Sequence, residues 1–273
     1  MIALALYAIA TIAYIWRFVH GDQPGRHVPT LLLVGAVVVH TFVIGMQSVQ
    51  VGAAPFAGRS GAVSTFVWML ALVYLYTELS TEEMAIGVFI APLLTLLQII
   101  PAFTASAEEH PALLDNPLFA VHVASVLLAY ASFALAFVVA VTYVLLFREL
   151  KRRTRGMFFS RLPSLQVLDV MNVRAVTVGW ACLTLGLVAG AWWVAQARMY
   201  AADDPHVQAM SLLDPTILIA CLSWMVYTLL LVGRRVRGWS GRRAAWLSAF
   251  GFVLILLNFL PVGYFLSRSH GFV

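Results

Sequence analysis

Long apolar runs, separated by short polar or basic stretches, dominate the chain. A helix that crosses a bilayer needs about 20 mainly apolar residues. The pattern predicts eight such helices, at residues 2–19, 28–46, 62–79, 84–103, 118–147, 173–197, 214–233 and 244–267. The third is the weakest, because it is short and carries Glu78 near its end. The first lacks the basic start and small-residue cleavage site of a signal peptide, so we count it as a span.

Composition supports a membrane protein. Hydrophobic residues make up 62% of the 273 residues and charged residues 11%, against about 45–50% and about 25% in soluble domains. These values exclude a soluble globular enzyme, a disordered chain and a disulfide scaffold. Cys182 and Cys221 lie inside apolar runs and form no CxxC or CxxCH motif, so the chain is not itself a c-type cytochrome. We expect an all-α integral membrane protein with a single transmembrane domain over residues 1–273.

The positions of the basic residues predict the orientation. If the loops after spans 1, 3, 5 and 7 share one side, that side holds 14 of the 17 Lys and Arg residues. Such an excess marks the cytoplasmic side. We therefore expect both termini outside and a bacterial-type cytoplasmic (inner) membrane location. The basic loops, part of a net charge of +5, are interpreted as anchors to anionic membrane lipid rather than as a nucleic-acid surface.

Motifs for enzymatic chemistry are missing from the sequence. There is no Ser/His/Asp arrangement, Gly-rich phosphate loop or pair of carboxylates of the kind that hydrolysis or phosphoryl transfer requires. The sequence therefore gives no support for an enzyme of these two classes. A proton-coupled transporter is disfavoured because the chain shows no internal repeat, and we expect no carboxylate inside the spans.

Three histidines stand out from the four that lie in loops. His40 falls inside the second span, about 18 Å from its inner start. Such a residue is expected to face the bundle interior, either as a functional group or as an imidazole hydrogen-bonded across helices. His122 and His270 lie at the outer ends of the fifth and eighth spans. Two imidazoles at one membrane face could ligate one metal, and imidazole suits iron, copper and zinc.

The sixth span carries small residues on one helix face. Gly179, Gly186 and Gly190 are seven and four residues apart, which places them on the same side of a helix. This spacing permits close approach of a neighbouring helix, or room for a flat ligand. The sequence leaves both interpretations open.

Three segments carry a resemblance to a known family. These segments are residues 121–153, 162–193 and 213–260, and they follow one another in the order found in that family. The first has an outward histidine and a basic end, and the third has an Asp-Pro turn and a Gly-Trp-x-Gly-Arg-Arg loop. The chain resembles the cytochrome c assembly protein family, the CcsA, CcmC and HemX type of haem-handling membrane proteins. The resemblance runs from about the second span to the C-terminus.

The resemblance implies a haem site at the outer face. In the family's synthase members, two outward histidines bind haem beside a tryptophan-rich loop. These correspond here to His122 and His270 as axial metal ligands, and His40 matches an early-span histidine of the HemX-type branch. The implied cofactor is haem, b-type and transiently bound.

The tryptophan-rich signature is incomplete in this chain. Trp192, Trp193 and Asp214 match it, and the resemblance implies that these three residues take part in binding haem. Pro215 also matches, whereas the central tryptophans are missing. A further family histidine, near the inner end of the penultimate span, is replaced around Gly233. These departures favour the HemX-like branch over a protein that attaches haem to apocytochrome directly.

Three functions follow from the resemblance. The first is a haem-binding factor of cytochrome c biogenesis, whose partners are haem, other cytochrome c assembly proteins and membrane lipid. At most, it would be part of a haem lyase or synthase system. The second is a non-catalytic regulator or scaffold that acts through its basic cytoplasmic loops. The third is a haem conduit.

Overall fold

The protein is a bundle of α-helices. The computed structural model describes residues 1–21, 27–51, 58–104, 116–152, 156, 160–200 and 214–258. Within these residues the chain forms eight helices and no strand, as the all-α prediction requires. The helices are α1 (Ile2–His20), α2 (Val28–Val51), α3 (Gly58–Thr81), α4 (Gly87–Phe103), α5 (Pro117–Arg152), α6 (Leu165–Tyr200), α7 (Pro215–Arg237) and α8 (Arg242–Leu257).

Each predicted span coincides with one helix, but the lengths differ. Six helices, all except α4 and α8, are long and apolar enough to cross a membrane. Helix α4 has 17 residues, with Pro92 and Pro101 inside it. Helix α8 has 16 described residues, and the predicted end of its span at residue 267 lies outside the described part of the chain.

Helix α6 begins at Leu165, earlier than the predicted start at residue 173. Its first turns carry polar and charged residues, so hydropathy alone placed the start of the span too late. Leu168, Met171 and Asn172 are nevertheless buried. These three residues lie three and one positions apart, so they share the helix face that packs on α5. Burial of this face extends the helix beyond the apolar run. Helices α5 and α6 each have 36 residues, or about 54 Å, and project past a 30 Å hydrocarbon core.

The bundle has two halves that meet at α3 and α5. Helices α1 to α4 contact one another in the first half, and α5 contacts α6 and α8 in the second. Helix α3 packs on both α4 and α5 and so joins the halves. The most extensive helix pair is α5 with α6, which makes these two helices the rigid support for any site at their ends.

A stacked aromatic pair fills the second half. The rings of Phe133 and Tyr227 are nearly parallel, with centroids 3.7 Å apart. A Cβ on Gly179 would lie 2.6 Å from the Phe133 ring, and one on Gly251 would lie 2.7 Å from the Tyr227 ring. Glycine at both positions therefore lets α6 and α8 close on this pair, because any side chain would clash with it.

Polar contacts join several helices at one end of the bundle, which we call the basic end. Arg161 donates to the carbonyl of Val19 at the end of α1, and Arg174 donates to Ser80 at the end of α3. Asp169 accepts two hydrogen bonds from Arg234, of 2.9 and 2.6 Å, and one from the amide of Gly241. The charge pattern predicted that these loops share one side. That this side faces the cytoplasm stays a prediction.

Replacing Arg234 by glutamine is expected to lower the free energy of unfolding by about 1–3 kcal/mol, because the largely buried Asp169 loses a charged two-point donor. The matched control is Arg235→Gln, since Arg235 is the exposed next residue of α7. Its effect is expected to stay within about 0.5 kcal/mol. Denaturation of both variants in detergent checks this, and equal losses would contradict the role assigned to Asp169.

Candidate functional site

A hydrogen bond joins His122 to α6. It lies in the second turn of α5, and its Nδ1 is 2.7 Å from the carbonyl oxygen of Gly186. A carbonyl can only accept, so Nδ1 carries the hydrogen and donates it. In the neutral ring the lone pair is then on Nε2. Metal-binding histidines are commonly oriented by such a hydrogen bond, and that His122 ligates iron stays a prediction.

The glycines of α6 make this contact possible. A Cβ on Gly190 would lie 2.5 Å from Nδ1 of His122, and one on Gly186 would lie 2.7 Å from Cγ2 of Val126. Because neither residue has a side chain, α6 approaches α5 closely enough for its carbonyl to reach the imidazole. Of the two interpretations of the glycine face, close packing is therefore confirmed. Side chains of α5 occupy the space that a flat ligand would need.

The two tryptophans of α6 have different surroundings. Trp193 is 7% exposed and Trp192 is 59% exposed. The ring of Trp193 lies 5.0 Å, centroid to centroid, from that of Phe119, which is one helical turn before His122. Trp193 thus belongs to an aromatic contact beside the histidine, whereas Trp192 faces away from the bundle.

Asp214 begins α7. Its side chain is buried, and its Oδ1 accepts a 2.8 Å hydrogen bond from the amide of Thr216. Pro215 occupies the first helical position, where its missing N–H costs no hydrogen bond. Asp214 is therefore a helix N-cap. Its predicted part in haem binding is a separate matter and stays a prediction.

His40 lies in the first half of the bundle and is fully buried. Its Nδ1 is 3.0 Å from the hydroxyl of Tyr7 on α1, and its Nε2 is 2.9 Å from the hydroxyl of Ser64 on α3. The imidazole thus links three helices, as the second interpretation of this residue anticipated. Binding of iron by His40 would require one hydroxyl to give way, and it stays a prediction.

Glu78 is a buried polar residue whose importance the sequence analysis missed. It lies near the end of α3, is 1% exposed, and accepts hydrogen bonds from Tyr14 (2.7 Å) and Thr30 (2.5 Å). Over the described ranges, no basic side chain is within ion-pair distance of it. The residue that weakens the third predicted span is therefore a buried hydrogen-bond acceptor shared with α1 and α2. A signal was present, since Tyr7 and Tyr14 share one face of α1 and offer hydroxyls to the interior.

The second predicted axial ligand, His270, lies outside the described residues, so its relation to His122 stays a prediction. Within the described ranges, no three or more His, Cys, Asp or Glu side chains come together as a metal site.

Comparison with known proteins assigns the family. Residues 2–270 match the Cytochrome C assembly protein family. Three relatives are each named cytochrome c biogenesis protein CcsA. That of Guillardia theta is 24% identical over 259 residues, covering 87% of this chain and 82% of the relative. That of Chlorella vulgaris is 26% identical over 261 residues, with coverage of 83% and 80%. That of Prochlorococcus marinus (strain MIT 9313) is 27% identical over 290 residues, with coverage of 95% and 88%.

These relatives carry the CcsA name, so the narrower placement in the HemX-like branch stays a prediction. The family match extends over nearly the whole chain. It also agrees with the multi-pass helical bundle, whose helices include six long enough to cross a membrane among the described residues. The chain therefore belongs to the cytochrome c assembly protein family.

Proposed function

We propose that this protein holds haem at the outer face of the membrane and delivers it during cytochrome c biogenesis. The observation that carries the proposal is the hydrogen bond from Nδ1 of His122 to the carbonyl of Gly186, because such a bond fixes the ring orientation and the tautomer of a metal-binding histidine. Family membership supports haem as the cargo. The location we propose is a bacterial-type cytoplasmic membrane with both termini outside, on the strength of the charge distribution.

The residues fit a haem better than a bare metal ion. A porphyrin supplies four nitrogens of its own, so its iron needs only one or two axial ligands from the protein. We assign these to His122 and His270. Trp193 and Phe119 provide an aromatic wall beside His122, and the exposed ring of Trp192 is available to a porphyrin from the outer side. Any redox chemistry belongs to the bound iron.

The other predicted residues have supporting roles in this proposal. Asp214 fixes the start of α7, which is the next described helix after the tryptophans of α6. His40 is a second haem site or relay within the bundle. Other cytochrome c assembly proteins would receive the cargo.

The haem content of the purified protein tests the proposal. We expect a haem absorption band in the purified protein and its loss in the variant with both His122→Ala and His270→Ala. A non-catalytic scaffold would instead purify without haem and would cross-link to a partner through its basic loops. Full haem occupancy in the double variant would overturn the assignment of the two ligands.

Replacing Gly190 by alanine is expected to lower haem occupancy by about 10–100-fold, the range found when the group that orients a metal-binding histidine is lost. The added methyl group would collide with the imidazole of His122 and displace Nδ1 from its carbonyl acceptor. The matched control is Gly35→Ala in α2, where a Cβ meets nothing within 4 Å. Absorption spectra of both variants check this, and equal haem content in the two would contradict it.

A further inference from the structure

A cavity lies at the basic end, between the α7–α8 turn and the first turns of α8. Its volume is about 360 Å³, and its lining consists of Trp239, Arg242, Arg243, Trp246 and Leu247. The cavity is a groove that opens widely to the surface rather than an enclosed pocket. Since Gly241 in the same turn donates to Asp169, the cavity belongs to the end that we assign to the cytoplasmic side.

Two arginines give this cavity a positive charge. Arg242 and Arg243 are exposed, and within the described residues neither forms an ion pair with a carboxylate. The guanidinium of Arg242 lies 5.7 Å from the centre of the Phe147 ring, which orients it without neutralising it. Planar guanidinium groups bind phosphate oxygens two at a time. The lining therefore suits a phosphate group.

An apolar stripe begins at the cavity and runs along α8. Its members are spaced by four, three and four residues, so they share one helix face, and all are exposed. They are Trp246, Phe250, Val253 and Leu257. Tryptophan is enriched where a protein crosses from headgroups to hydrocarbon. The stripe thus leads from the charged cavity towards the membrane core, as the chains of a lipid would.

We propose that this cavity binds one anionic phospholipid, with its phosphate on Arg242 and Arg243 and its acyl chains along the stripe of α8. Basic pockets on the cytoplasmic side of helix bundles bind anionic headgroups in this way. A general attraction to the membrane surface would use any exposed basic residue. A site instead requires these two arginines and the indole beside them. The proposal is independent of haem binding.

Native mass spectrometry of the detergent-purified protein tests the site. When phosphatidylglycerol is added, we expect a protein ion that keeps one bound lipid. Phosphatidylcholine is expected to be retained by a smaller fraction of the protein. The variant R242Q/R243Q is expected to bind phosphatidylglycerol about 10–30-fold more weakly. The matched control is R148Q/R152Q, which removes the same charge from exposed positions at the basic end of α5 and is expected to change binding by less than about threefold.

A second variant separates the site from a change in folding. W246A keeps both arginines and removes an exposed ring of the stripe, and it is expected to weaken phosphatidylglycerol binding several-fold. Glycerol 3-phosphate, which has the headgroup phosphate without chains, is expected to bind more weakly than the lipid. Equal weakening by the two double variants would overturn the proposal. So would equal retention of phosphatidylcholine, or glycerol 3-phosphate binding as tight as that of the lipid.

Discussion

Replacing His122 alone by alanine is expected to reduce the haem that copurifies with the protein by at least about tenfold. The substitution removes the imidazole that we propose as an iron ligand and that the hydrogen bond to Gly186 orients. Among the described residues, no cluster of metal-binding side chains could replace it. The measurement is the ratio of haem absorbance to protein absorbance after purification.

Added imidazole is expected to restore part of the haem band in His122→Ala, because it can occupy the space of the missing ring and ligate the iron. A purely structural role for His122 would not give this rescue. His20→Ala and His27→Ala are the controls, since both residues are exposed and lie at or next to the basic end, and neither is expected to change haem content. Unchanged haem in His122→Ala, with no spectral shift, would rule out His122 as a ligand.

Replacing Glu78 by alanine is expected to lower the free energy of unfolding by roughly 2–5 kcal/mol. The carboxylate accepts hydrogen bonds from Tyr14 on α1 and Thr30 on α2, so its loss leaves two buried hydroxyl groups without their acceptor. It also removes a side chain that joins three helices. The effect is measured as the change in the free energy of unfolding when the purified protein is titrated with a denaturing detergent.

Glu82→Ala is the matched control for this change, because Glu82 is an exposed carboxylate one turn further along. Its effect is expected to stay within about 0.5 kcal/mol. The loss in the free energy of unfolding for Glu78→Gln is expected to lie between those of the two alanine variants, since the amide keeps one acceptor oxygen and the shape of the side chain. If Glu78→Ala were no more destabilised than Glu82→Ala, the hydroxyl cluster would not contribute to the stability of the first half of the bundle.

The membrane-spanning pattern was largely readable from the sequence. Eight apolar runs predicted eight helices, and each coincides with one in the described residues. Hydropathy reports the cost of placing a side chain in hydrocarbon, so it locates spans well. It misjudged the start of α6, because that helix continues beyond the apolar run, where a buried face rather than mean hydropathy keeps it packed.

The candidate site was only partly readable. His122 could be singled out by its position at the predicted outer end of a span, but nothing in the sequence indicates which ring nitrogen carries the hydrogen. That depends on the carbonyl of Gly186, 64 residues away along the chain. The adjacent tryptophans of α6 look equivalent in sequence, yet one is buried and the other exposed, because consecutive residues of a helix point about 100° apart.

The sequence by itself determined the class of molecule, its helices and the side of the membrane that its basic loops are expected to face. These properties follow from the local cost of burying charge or apolar surface. Only the tertiary structure decided which partners satisfy His40, His122 and Glu78. Each partner lies on another helix and comes within hydrogen-bond distance only when the helices pack, so no local pattern in the chain could specify it.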